Sequence, residues 1–300
     1  MKEVSGTRWG STLRERSIEA VLFIAAFSSV AITFAIMEIL ISESIHFFQH
    51  VSLIEFLTST EWSPLFDDPK YGILPLASGT LVTTAVALFV AVPLGTIAAV
   101  YLSEFAAPKV REVVKPILEL LAGIPTVVYG YFALLGVTPL LQLIMPELPG
   151  FNMLSPGIVM GIMITPLISS ISEDAMRSVP VELREGAYAM GASRFQTAWQ
   201  VVFPAALSGI SAAYILGISR AVGETMIVAI AAGLQPTLVW NPLDSAATIT
   251  AYIVQVSLGD IPHGSLEYQT IFAAGLTLAL ITLTFNIIGY FLTQRYRETY

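Results

Sequence analysis

Residues 205–234 read "AALSGISAAYILGISRAVGETMIVAIAAGL", a long apolar run whose only charges are Arg220 and Glu224. About 20 apolar residues, each rising 1.5 Å along a helix, cross the hydrocarbon of a bilayer. The run therefore predicts a membrane span. Five more stretches predict the same: Ile18–Ile41, Ile73–Ser103, Pro116–Met145, Pro156–Ile171 and Thr270–Gln294. Composition agrees. Of the 300 residues, 55% are hydrophobic and only 12% charged, where a soluble domain carries about a quarter charged residues. The mean hydropathy is +0.75. The expected fold class is an all-α integral membrane protein with six transmembrane helices.

Charge sets the expected orientation. The first apolar run has 24 residues, too long for the core of a cleaved signal, and reads as an anchor. With the N-terminus inside, twelve of the fourteen lysines and arginines fall on inner segments, from Lys2 to Arg297. Lys70 falls outside and Arg220 within the fifth span. Such a bias predicts cytoplasmic N- and C-termini. Two apolar segments do not qualify as spans. "AATITAYIVQVSL" (246–258) is too short and reads as a helix lying on or dipping into the outer face. In residues 44–58, Phe47, Val51, Ile54 and Leu57 recur at helical spacing, which predicts an amphipathic helix on the outer surface. The expected division is 1–72, holding the N-tail, first helix and outer segment, and 73–300, the core.

Arg220 and Glu224 need a reason to be in oil. A charge at mid-bilayer costs ~2.5–3.5 kcal/mol on insertion scales. Arg220 lies 15 residues into its run, roughly 22 Å from the inner end, too deep to snorkel. On a continuous helix, Glu224 would share its face and partly neutralise it. Two readings stand. The pair fixes packing, or Arg220 meets an anion in transit. Guanidinium is always charged and its planar fork fits oxyanions, while a nearby carboxylate would keep the grip reversible.

Prolines punctuate the other spans. Pro93, Pro125 and Pro166 are expected to kink the second, third and fourth helices. Gly157 and Gly161 form a GxxxG that permits close helix contact. The inner segment 172–207, "SEDAMRSVPVELREGAYAMGASRFQTAWQVVFPAAL", carries end signals for two helices. Pro180 can open the first and Gly191 can stop it. Ser193 with Gln196 three residues on has capping-box spacing and opens the second. Small residues at Gly186, Ala187 and Ala189 let one face approach a partner closely.

That segment resembles the EAA loop of ABC-type importer permeases in the order Glu185-Gly186-Ala187, then Gly191, then Val201 and Pro204. The spacing matches throughout, with Gly186, Val201 and Phe203 departing from the family's alanine, isoleucine and leucine. "LLAGIPTVVYGYFAL" (120–134) and "SRAVGETMIVAIAAG" (219–233) further resemble phosphate-specific permeases of the PstC type. The resemblance implies the type I importer permease fold, with residues 173–204 as the loop that couples to an ATPase subunit through Glu185, Gly186, Ala187 and Gly191. It assigns Arg220 and Glu224 to the phosphate pathway. It implies a bacterial or archaeal cytoplasmic membrane, a PstA-type permease partner, a PstB-type ATPase dimer and an extracytoplasmic phosphate-binding protein. The chain has no GxxxxGK to cradle a nucleotide, so ATP and Mg belong to the partner. No cofactor, catalytic residue or nucleic-acid partner is expected of this chain.

Alternatives follow from the same residues. The chain could be the partner permease, or serve a related oxyanion such as phosphonate, molybdate or sulfate. A membrane enzyme would need reactive groups at bilayer depth. His46, His50 and His263 all fall on outer segments, and without cysteine there is no thiolate metal site. A self-sufficient channel or carrier would leave the EAA-like loop without a purpose. The outer segments hold nine acidic residues against Lys70. Such a face repels free phosphate, which suggests that the anion arrives enclosed in a carrier.

Overall fold

The structure, a computed structural model, describes residues 8–295. Lys2 and Arg297, counted in the charge bias, lie outside them. The described chain is all-helical. Helix α1 (Arg8–Phe48) is followed by the short α2 (Leu53–Thr58) and then α3 (Leu74–Val100), which opens with a proline in its first turn. A π-helical turn, Tyr101–Phe105, extends α3. Next come α4 (Pro108–Ala122), α5 (Thr126–Phe132), a second π turn (Ala133–Val137) and α6 (Thr138–Gln142). Helix α7 (Leu154–Arg177) leads to the inner segment, α8 (Val181–Ala189) and α9 (Arg194–Thr197). A third π turn (Ala198–Val202) and α10 (Phe203–Ala205) feed α11 (Leu207–Val222) and α12 (Met226–Ala231). Helices α13 (Ile249–Ser257) and α14 (Leu266–Arg295) finish the fold.

Among the described residues, four helices are long and apolar enough to cross a membrane, or six spans if each of two bent pairs counts as one. Each bent pair has its own local cause. The third predicted span, Pro116–Met145, is broken by 86° between α4 and α5. Pro125 has no N–H to continue a helix and drives Ile124 out of helical backbone. The Tyr129 hydroxyl then donates to the Leu121 carbonyl at 2.8 Å, pinning the corner from the α5 side. The other bend, 73°, falls at Ala206, where the inner segment turns into α11. Pro93 and Pro166 lie inside α3 and α7, which run unbroken through them.

The centre of the bundle is the α3–α7 pair, and small residues explain its closeness. A Cβ built on Gly157 would stand 2.6 Å from the Val86 Cβ, and one on Gly161 2.6 Å from the Val90 Cβ. Ile168 of α7 seats against Gly95 of α3 and Gly217 of α11, locking the three helices together. Around it pack Met160, Ile164, Ile227 and Val228, all buried. By contrast α1 is exposed over most of its length from Arg14 on and leans on α14, where Leu40 meets Gly275.

The outer stripe at 44–58 does not form one helix. Phe47 lies in the last turn of α1, Val51 sits in the turn after it, and both are buried, but Ile54 and Leu57 on α2 are exposed. Phe56, one place off the predicted stripe, is the buried residue of α2. These aromatics join Trp62 and Tyr71 in a cluster that also takes in Tyr252 of α13 and Ala273 of α14. Residues 246–258 supply α13, nine residues long, with Ile249 to Tyr252 buried against its neighbours.

Candidate translocation site

Helix α11 ends at Val222, with Gly223 as its cap. Glu224 therefore lies beyond the helix, which corrects the expectation that it continues the Arg220 face. The two side chains still meet, Arg220 Nη2 to Glu224 Oε2 at 3.6 Å. Their surroundings differ. The Arg220 side chain is 49% exposed and that of Glu224 only 2%. Arg220 stands in the last turn of α11, where the negative end of the helix dipole favours a cation. The arrangement is a cation facing open space and a carboxylate held behind it.

The break after Val222 frees backbone groups that need partners. Thr250 of α13 donates to the Glu224 carbonyl at 2.6 Å. Thr250 lies 3.1 Å from Thr248, which caps α13 by accepting from Ala251 N. Ile249 N donates to Thr80 of α3 at 3.0 Å. A buried set of threonines thus fastens the short outer helix across α3 and onto the break. Sequence reading missed these residues. The one local signal was Thr-x-Thr at 248–250 ahead of a short apolar run.

The inner segment follows its end signals. Pro180 caps α8, Gly191 takes φ +86° after it, and Ser193 with Gln196 forms a full capping box on α9. Glu185, Gly186 and Ala187 all lie on α8, no residue of which is buried. Nothing stands within 4 Å of where a Cβ on Gly186 would sit. Val181, Tyr188, Met190 and Phe195 expose large apolar side chains around it.

Charged pairs missed in the sequence gather α4, α7, α8 and the end of α3 at one end of the bundle. Glu173 of α7, 1% exposed, receives Lys115 at 2.8 Å and Arg177 at 3.5 Å, with Arg111 at 4.0 Å. Lys115 also reaches Asp174 at 2.7 Å. Arg184 of α8 pairs with Glu104 in the first π turn. Among the described residues, no group of three or more histidine, aspartate or glutamate side chains is arranged to hold a metal ion.

A multi-pass helical bundle with a half-exposed arginine in the last turn of α11, and an unburied helix at its charged end, fits the membrane subunit of a transporter. The chain belongs to the family described as binding-protein-dependent transport system inner membrane component, which it matches over residues 91–298. It is the permease component of an ABC importer and a multi-pass protein of the inner membrane. It is 40% identical to a probable ABC transporter permease protein, YqgH, of Bacillus subtilis strain 168, over 82% of this chain and 79% of that one. It is 33% identical to the phosphate transport system permease protein PstC of Xylella fastidiosa strain 9a5c, over 79% of this chain and 77% of that one. Among solved structures it resembles a bacterial ABC transporter involved in the import of the acidic polysaccharide alginate. There the TM-score is 0.67 at 18% identity, over 97% of this chain and 99% of that one, a likeness of fold. These relatives are transport permeases, not enzymes.

Proposed function

We propose that the chain is the PstC-type subunit of an ATP-driven inorganic phosphate importer, with Arg220 and Glu224 in the pathway. The observation that carries this reading is the Arg220 guanidinium, half open, with its counter-charge buried behind it. An anion can approach the fork from the open side, and Glu224 keeps the hold reversible. Relatives named as phosphate permeases support the choice of substrate. The open face of Arg220 is the side for a PstA-type partner, so that the pathway runs between two permeases. The unburied α8, with Glu185, Gly186 and Ala187 on it and Gly191 at its end, is the docking element for a PstB-type ATPase dimer that supplies ATP and Mg. Both termini are cytoplasmic, residues 73–300 form the transport core and 173–204 the coupling loop. A phosphate-binding protein delivers the anion to the acidic outer face.

The test is ATP-dependent uptake by the assembled complex carrying Arg220→Gln, with phosphate and sulfate as substrates. Loss of an ion-assisted hydrogen bond of about 1.5–3 kcal/mol should cut apparent affinity roughly 10- to 100-fold. Phosphate uptake equal to wild type would remove Arg220 from the pathway, and equal use of sulfate would replace phosphate by oxyanions in general.

A further inference from the structure

Helix α8 has no buried residue, yet it is not loose. Its Arg184 side chain turns back into the protein, only 16% exposed. Nε and Nη2 donate to the two Glu104 oxygens at 3.2 and 3.0 Å. Nη1 donates to the Val179 carbonyl at 2.7 Å, and Nη2 also to the Met176 carbonyl at 2.8 Å. Ser103 donates to Glu104 at 2.7 Å and steadies the acceptor. One guanidinium therefore ties α8 to the π turn that ends α3, to the Met176 carbonyl in the last turn of α7 and to the Val179 carbonyl just beyond it.

The chemistry requires arginine. A carboxylate and two carbonyls surround the group, and all need donors in a planar array. Lysine has three donors on one nitrogen and cannot span them. The same surroundings reject a carboxylate at position 184, since it would face carbonyl oxygens with no proton to give. Helices α3 and α7, the pair that Arg184 holds together, are the two joined by Gly157 and Gly161. A displacement of α8 reaches α11 along the chain through the Gly191 turn and α9. Arg184 gives it a second route, into α3 and α7.

We infer that Arg184 and Glu104 form the joint through which movement of α8 is passed to the α3–α7 pair, so that they are positioning residues for energy coupling. The inference rests on the importer reading and concerns residues outside the loop's exposed contact face. In the assembled complex in proteoliposomes, with the binding protein present, the quantity to measure is phosphate imported per ATP hydrolysed. Glu104→Gln keeps the size of the side chain but removes its charge, and leaves Arg184 on the Met176 and Val179 carbonyls. Arg184→Lys keeps the charge and loses the fork. Each should lower the ratio by about tenfold, within the span of ordinary coupling energies, while ATP hydrolysis continues. Because Glu104→Gln alters no residue of the loop, it serves even if a change at Arg184 impairs assembly. A ratio equal to wild type in Glu104→Gln, or hydrolysis and uptake falling in proportion, overturns the joint. Wild-type complex that hydrolyses ATP without importing phosphate would instead strike down the importer reading.

Discussion

Replacing Glu224 by glutamine tests the pathway at its least exposed member. The amide keeps the size of the side chain and leaves the Thr250 bond to the Glu224 carbonyl in place. What it removes is the negative charge 3.6 Å from Arg220 Nη2. At that separation the attraction is about 1 kcal/mol in a water-like medium and about 5 kcal/mol at an effective dielectric of about 20. Arg220 is half exposed, so solvent screening places the pair at the lower figure. Without Glu224, Arg220 should hold a transported oxyanion more tightly by about 1 kcal/mol, roughly fivefold. The expected result in proteoliposomes is a lower KM for phosphate together with a lower maximal uptake rate, because release is slowed. Initial rates of ATP-driven uptake across a range of phosphate concentrations read both quantities. An unchanged KM, or a rise in maximal rate, would refute the idea that Glu224 loosens the hold of Arg220.

Three further outcomes follow from packing and backbone. Gly161→Leu drives a side chain into Val90 and the Ala87 carbonyl, and should destabilise the α3–α7 pair by about 1–3 kcal/mol or more, read as a lowered midpoint of thermal unfolding in detergent. Gly191→Ala has open space around it but must hold φ +86°, so it should cost about 1 kcal/mol through backbone strain alone; an unchanged midpoint would contradict that. Burial, with the Glu267 and Glu55 carboxylates, raises the Tyr71 phenol above its ordinary value. Because the folded form keeps the proton longer than the unfolded one, this stability is complete below the ordinary phenol range and is lost as pH rises through the raised value. Tyr71→Phe should therefore flatten the alkaline fall in unfolding midpoint that wild type shows, and equal slopes would count against the assignment.

Much of this architecture could be read from residue order because its determinants are local. Hydrocarbon length sets the apolar runs, and Pro180, Gly191 and the Ser193–Gln196 pair set the ends of α8 and α9 by contacts within a few residues. Gly157 and Gly161 announced a close contact, although not that α3 would fill it. Bends were harder. Pro125 marked an interruption, but the 86° angle depends on what Tyr129 and the neighbouring helices can satisfy. The stripe of Phe47, Val51, Ile54 and Leu57 misled because a turn at 49–52 resets the helical phase. Residues 246–258 were too short to cross, but they are fastened to a threonine 169 positions away in sequence, as Ile249 and Thr80 show. The Arg184–Glu104 pair was invisible for the same reason, with 80 positions between its members. Arg220 stood out because a charge in oil is costly wherever its partners lie.

The interruption after Val222 bears on how cheaply this molecule can cycle. An unbroken rod that bends in hydrocarbon must break backbone hydrogen bonds at each stroke and remake them, since no water is present to substitute. Here the ladder is already open at Gly223, and a threonine from another helix holds the loose oxygen. On the proposed pathway, α11 and α12 would change their mutual angle through torsions about these few residues, leaving the hydrogen bonds within each helix in place. On that reading, wear would be confined to this short interruption, beside the cation proposed to greet and dismiss the cargo in every round.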